Sequence, residues 1–321
     1  MKPADFFLGI DTSNYTTSAA CYHPESNTVQ HVKRLLPVRP GALGLRQSDA
    51  LFHHIRQLDA VLEQTLSKEN GSPMAVCASD RPRDAEGSYM PCFLAGKTAG
   101  KAAALAARAP FYTVSHQSGH IAAALFSAGH LEMLNRELLA FHVSGGTTEL
   151  LHVKPHPERV LSVQILAGTL DISAGQLIDR VGVRMGLAFP AGPALEQLAL
   201  TGARIKPRPV RLSDGSCNLS GIENISAKML ENGLPPADIA RFVLEHIAQV
   251  LAAMTEDAFA RVGELPLLYS GGVLSNTIIK QYLTERYDCM LAAPEFSADN
   301  AAGTAILGYL LDRRIKEGAA H

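Results

Sequence analysis

The feature that most constrains this chain is a unit that occurs twice: an apolar strand, a turn of hydroxyls or glycines, and a return strand. The first copy is FFLGIDTSNYTTSAACY near the start of the chain, and the second is ELLAFHVSGGTTELLHV from Glu137. Short apolar runs with β-branched and aromatic character read as buried strands, and the polar turn sends each back as a hairpin. Alternating helix and strand patterns follow both hairpins, which argues an α/β protein with two similar lobes. Lobe I is expected over 1–135 and lobe II over 136–292, with the last helix, about 293–321, returning to lobe I.

Helical spacing marks Gln47 to Leu66, GKTAGKAAALAARA, SHQSGHIAAALFSAG, AGQLIDRVGVRMGL, Pro236 to Val262, SNTIIKQYLTERY and AAGTAILGYLLDRRI, while MAVCAS, PFYTV and PLLYSGG read as strands. Of 321 residues, 47% are hydrophobic and 19% charged, enough apolar surface for two cores and too much for a disordered chain. Lysine and arginine total 29 against 31 acids, a net charge of −2, so there is no basic coat for nucleic acid. Five cysteines without C-x-x-C spacing argue for reduced thiols, against a disulfide framework or a thiolate zinc site. No apolar run approaches the roughly 18 residues of a membrane span, and Asp5 and Asp11 fall where a signal peptide stays apolar. A soluble cytoplasmic protein with no membrane partner is expected.

Two glycine turns carry the first chemical signal. Ser144-Gly145-Gly146-Thr147-Thr148 follows a strand, and Ser270-Gly271-Gly272 follows another and opens a helix near Ser275. Glycines admit a phosphate close to the backbone, and successive N–H groups at a helix start favour anions. Either turn alone reads as a tight turn; both, beside Asp11-Thr12-Ser13, point to a nucleotide. His116 and His120 stand i, i+4 on one predicted helix face, the spacing of a metal-chelating pair. No glutamate lies between them as in H-E-x-x-H, which disfavours a zincin protease. Asp299, before the last helix, is a candidate third ligand that spacing alone does not connect.

Asp171 and Asp179 lie eight residues apart on one predicted helix and hence on one face. Asp179 reads either as half of an ion pair with Arg180 or as an acid reaching ribose hydroxyls. Gly96-Lys97-Thr98 resembles the end of a P-loop, but Pro91 replaces the first glycine and the preceding residues lack the required strand followed by a flexible loop, so it is rejected. His53, His54, His152 and His156 read as surface or packing residues. Arg204, Lys206, Arg208 and Arg211 form the most basic stretch, a solvated loop or a polyanion contact.

Taken together, SHQSGHIAAAL, HVSGGTTEL, LDISAGQLIDRVGVRMGLAFPAGPALEQLA, LSGIENI, YSGGVLSN and SADNAAGTA resemble the TsaD family, threonylcarbamoyl-adenosine synthases of tRNA once described as O-sialoglycoprotein endopeptidases. The resemblance runs nearly end to end. It implies an actin/hexokinase/Hsp70-like fold of two lobes around a nucleotide and metal cleft. It implies that His116, His120 and Asp299 hold a divalent metal, iron or zinc. It also implies that His142, Val143, Ser144, Gly145, Gly146, Asp179, Gly192 and Asn276 hold ATP or threonylcarbamoyl-adenylate, with Gly272 beside Asn276. Asp11, kept in the GIDTS opening, is the acid expected to act in catalysis. Implied partners are adenine nucleotide, tRNA, and a homologous actin-like-fold protein or a second copy.

The chain also departs from the family pattern. Asn14-Tyr15-Thr16-Thr17 replaces C-D-E-T, Thr147 replaces a histidine, and Ser115 and Ser118 replace a histidine and a glutamate. SDRPRDAEGSYMPCFLAG replaces a glycine-rich stretch, and Ser220-Gly221-Ile222-Glu223-Asn224 replaces S-G-L-K-T. The expectation is therefore a metal- and ATP-dependent carbamoyl or threonylcarbamoyl transferase with an altered acceptor or activity. A non-catalytic nucleotide-binding scaffold is the alternative, and a metalloprotease the weakest reading.

Overall fold

The computed structural model describes residues 5–13, 15–37, 45–296 and 301–318. The chain divides into two compact units: Met1–Arg136, Lys154–Val163 and Glu295–His321 form unit 1, and Glu137–Val153 with Gln164–Pro294 form unit 2.

The elements of the first part are β1 (Phe7–Asp11), β2 (Thr16–His23), β3 (Thr28–Leu35), α1 (Gln47–Leu66), β4 (Ala75–Arg81), α2 (Phe93–Ala107), β5 (Phe111–Ser115) and α3 (His116–Ser127). They are followed by β6 (Leu138–Val143), β7 (Thr148–His156), β8 (Val160–Gly168), α4 (Ala174–Arg184), α5 (Gly192–Leu200), α6 (Ser220–Glu231), α7 (Pro236–Val262), β9 (Leu267–Ser270), α8 (Thr277–Thr284), β10 (Cys289–Leu291) and α9 (Ala302–Gly318). The sheets run β3-β2-β1-β4-β5 and β10-β9-β6-β7-β8. Each is built on an antiparallel hairpin, β1/β2 or β6/β7, extended by parallel strands on the other side of its first strand. The repeated sequence unit thus becomes a repeated topology.

β1 is buried along its whole length, as a central strand with helices on its sheet must be. Gly9 in β1 is there for clearance, because a Cβ would fall on the backbone of Ala305 in α9. Gly303 of α9 makes the matching contact with the Gly119 carbonyl of α3. Backbone therefore lies on backbone at both faces of α9. In unit 2, the 27-residue α7 starts at Pro236 and ends at Gly263, whose φ of +87° suits a residue without Cβ. Its inner face packs against Tyr269, which stacks on Phe141 at 4.9 Å and bonds Thr255 Oγ1 at 2.9 Å.

Two expectations change. Asp171 is not on the helix of Asp179: Ser173 and Gln176 form a capping box that starts α4 at Ala174. Asp171 instead accepts N–H bonds from Leu219 and Ser220 at the start of α6. The structure also adds strands β3, β8 and β10 to those read from the sequence. All five cysteines are free thiols, and no helix among the described residues is long and apolar enough to cross a membrane.

Candidate active site

Unit 1 gathers a carboxylate, two imidazoles and a hydroxyl at the ends of β1 and β4 and the start of α3. Asp11 is 1% exposed, and its Oδ1 accepts the Ser13 N–H at 2.9 Å. Its Oδ2 accepts the Ser79 hydroxyl at 2.5 Å and lies 2.8 Å from His116 Nδ1. Burial alone would raise this carboxyl, yet His116 and the bonds from Ser13 and Ser79 hold it below the ordinary carboxylate value. An ionised carboxylate only accepts, so His116 carries its proton on Nδ1 and turns Nε2 forward. There His120 Nε2 meets it at 2.9 Å, one helical turn away.

α3 starts where it does because Ser115 caps it, accepting the Ser118 N–H. Ser118 in turn donates to Asp84 Oδ2 at 2.9 Å, and Asp84 pairs with Arg81 at 2.8 Å. The loop after β4 thus brings a carboxylate to the start of α3. Gly96-Lys97-Thr98 lies inside α2, which explains the false P-loop. Gly96 lets α2 sit against Thr12, whose hydroxyl accepts the Gly96 N–H, and Lys97 reaches Asp80 at 3.2 Å. Among the described residues no three His, Cys, Asp or Glu side chains converge as a metal site. Asp299 and Asn14 lie outside the described residues.

Unit 2 holds a pocket of about 230 Å³ where the two glycine turns meet. Gly145, Asp179, Gly192, Gly272 and Asn276 line it together. His142 and Val143 end β6 behind the first turn, and Ser144 and Gly146 belong to the turn itself but not to the lining. The turn closes by Ser144 N–H to the Thr147 carbonyl at 2.8 Å and Thr147 N–H to Ser144 Oγ at 3.2 Å. A Cβ at Gly145, Gly146 or Gly272 would meet nothing within 4 Å, so these backbones face open space. Gly271 differs: its φ is +107°, and a Cβ there would fall on the Val143 carbonyl. That contact brings the second turn against the first.

The start of α4 is pressed onto the same turn. Ser173 Oγ donates to the Gly145 carbonyl at 2.7 Å, and a Cβ on Gly175 would stand 2.6 Å from Ser144 O. Asp179 Oδ1 accepts the Ala191 N–H at 2.8 Å, fixing the entry to α5. Asn276 caps α8, with Oδ1 accepting from Ile278 and Ile279 at 3.1 Å each, which leaves its amide NH₂ as the donor. Pocket residues that motif reading missed include Gly175, Ile178, Pro190 and Glu196. The S-x-x-Q of Ser173 and Gln176 marks where the helix starts, but only packing brings that start, and with it Gly175, beside the turn.

A model of the family described as TsaD, tRNA N6-adenosine threonylcarbamoyltransferase, matches residues 40–306. The tRNA N6-adenosine threonylcarbamoyltransferase of Desulfitobacterium hafniense strain Y51 is 32% identical over 322 residues, covering 94% of this chain and 91% of that one. Among solved structures, component A of the (R)-2-hydroxyglutaryl-CoA dehydratase of Acidaminococcus fermentans superposes with a TM-score of 0.55 at 15% identity, over 97% of this chain and 99% of that one. A ROK family glucokinase from Streptomyces griseus, solved with glucose and AMPPNP, gives 0.53 at 12% identity, over 95% and 99%. These likenesses show the two-lobed α/β fold of the actin and hexokinase type.

Proposed function

The chain belongs to the TsaD family of tRNA N6-adenosine threonylcarbamoyltransferases, and on that premise we propose that it is a nucleotide- and metal-dependent transferase of a carbamoyl or threonylcarbamoyl group to a tRNA adenosine or a changed acceptor. The observation that carries this reading is the unit 2 pocket, where open glycine backbones, an acid and an amide donor face one space. The backbone N–H groups of Gly145 and Gly175, which line the pocket at the turn and at the start of α4, suit the phosphates of ATP or of threonylcarbamoyl-adenylate. Asp179 has its second oxygen for a ribose hydroxyl, and Asn276 offers its amide NH₂ beside Gly272.

The donor set in unit 1 fits a divalent metal. Two Nε2 atoms meet at 2.9 Å, and a buried carboxylate fixes the tautomer of one ring from behind. His116, His120 and Asp299 would hold the ion, iron or zinc alike. When bound, such an ion supplies Lewis acidity that polarises a carbonyl or phosphoryl oxygen. Asp11 then acts as a positioning residue: it keeps the His116 proton on Nδ1 and is too buried to meet substrate. The Ser118–Asp84–Arg81 chain stands where the family pattern differs, and it supports a changed acceptor side.

Complementation tests the reading. The gene is expressed in cells depleted of their own TsaD-type enzyme, and threonylcarbamoyl-adenosine in bulk tRNA is measured. Restored modification identifies tRNA adenosine as the acceptor. Absence of transfer to any RNA, with no ATP binding by the purified protein, sinks the proposal.

A further inference from the structure

Unit 2 contains a second cavity, of about 360 Å³, which shares no lining residue with the glycine pocket. Its size lies at the lower end of small-ligand sites, about 300–1,000 Å³. Ile222 and Ile225 of α6 and Val250 of α7 give it apolar walls, and His246 of α7 lines it from the interior. That imidazole is 5% exposed and stacks on Phe242. Among the described residues neither ring nitrogen has a hydrogen-bond partner, and Nδ1 is wholly out of solvent. Folded chains rarely keep a buried polar atom unpaired, so the site lacks a partner the chain does not supply.

Charge enters from the 202–212 loop. Arg208 and Arg211 line the cavity, are exposed, and make no hydrogen bond or ion pair among the described residues. Arg204 of the same loop, by contrast, pairs at 3.1 Å with Glu245, which it shares with Arg241. Guanidinium groups are the side chains best shaped for phosphate oxygens. The chain carries a net charge of −2, so any hold on a polyanion must come from a local patch of this kind.

We propose that this cavity takes one unstacked nucleotide of a single-stranded RNA, its base between Ile222, Ile225 and Val250 with an edge on His246, and its flanking phosphates on Arg208 and Arg211. Apolar walls accept the face of any base, and Nε2, the His246 ring nitrogen that is not sealed from solvent, is the one that meets its edge. The inference rests on the RNA acceptor proposed above, and it makes this loop a contact for that acceptor outside the nucleotide pocket.

The test uses the full chain and a fluorescein-labelled single-stranded RNA, with binding followed by anisotropy from about 50 to 200 mM salt. Arg208→Ala/Arg211→Ala should weaken binding about tenfold and flatten the plot of log K against log salt by about 1.4, two phosphate contacts at roughly 0.7 each. Gly221→Leu is the second variant. A Cβ at Gly221 meets nothing within 4 Å, so the protein should fold while the side chain occupies the cavity. It should weaken RNA about tenfold with the salt slope unchanged, since it removes stacking and no charge. Wild-type RNA affinity in both variants overturns the proposal. So does a loss confined to free AMP and UMP, which would make the cavity a site for a small molecule. ATP binding, measured beside it, should be unchanged in both variants. If RNA binding responds as expected but no RNA is modified, the transferase reading fails and this one stands.

Discussion

Two adjacent glycines, Gly271 and Gly272, should fail in opposite ways. Carbon atoms settle near about 3.5 Å apart, so a Cβ on Gly271, 2.5 Å from the Val143 carbonyl carbon, must move by roughly 1 Å. Its φ of +107° is also a conformation that L residues rarely adopt, a strain of about 1–3 kcal/mol. Overpacking adds about 1–3 kcal/mol. Gly271→Ala should therefore lose about 2–6 kcal/mol, a large share of the ~5–15 kcal/mol that holds a domain together. Gly272→Val meets open space and should stay within about 0.5 kcal/mol of wild type. It should nevertheless bind ATP at least about tenfold more weakly, because its side chain stands where phosphate would approach. The chain has no tryptophan, so urea unfolding is followed by far-ultraviolet circular dichroism and ATP binding by calorimetry. A Gly271→Ala protein as stable as wild type would refute the steric reasoning. Unchanged ATP affinity in Gly272→Val would remove the nucleotide from this pocket.

Asp11→Asn takes the charge from behind His116 and should weaken metal affinity about 10–100-fold, read by competition with a fluorescent chelator; unchanged affinity would show that the carboxylate does not set the tautomer. Ser173→Ala removes the cap of α4 and its tether to Gly145, and the unfolding free energy from urea titration should fall by about 1–2 kcal/mol with weaker ATP binding. Burial pushes His246 down to about 4 from 6.5, so the unfolded chain binds the extra proton first. Stability should therefore fall as pH drops from 6.5 towards 4, by about 3 kcal/mol from this group, and level off below. His246→Leu should show a correspondingly smaller loss between pH 7 and pH 4, and parallel curves for the two proteins would contradict the assignment.

What the sequence revealed follows from which signals are local. The bounds of α7 are readable because proline opens it, glycine closes it and apolar residues keep helical spacing in between. β3 is different: its exposed TVQHVKRL has no apolar alternation and becomes a strand only by pairing with β2. The misplacement of Asp171 on a helix came from continuing a periodic pattern past a capping box that Ser173 and Gln176 spell out. His116 and His120 were visible as a pair because four residues make a helical turn. Their partner Asp11 is 105 residues from His116 in sequence and reaches it only through the β1-β4-β5 order of the sheet. Gly175 and Glu196 likewise enter the pocket by packing, which no spacing rule reports.

The backbone-on-backbone seating of α9 also sets a timetable. Gly9 and Gly303 are separated by 294 residues, yet β1 has no cover on its Gly9 face until α9 has been made. At about 5–20 residues per second, translation leaves that face open for roughly 15–60 s. Unit 2, complete by Pro294, can close within that interval, whereas unit 1 has to wait for the ribosome. During the wait, the apolar strand β1 and the alanine-rich helix α3 are open to chaperones and to neighbouring nascent chains.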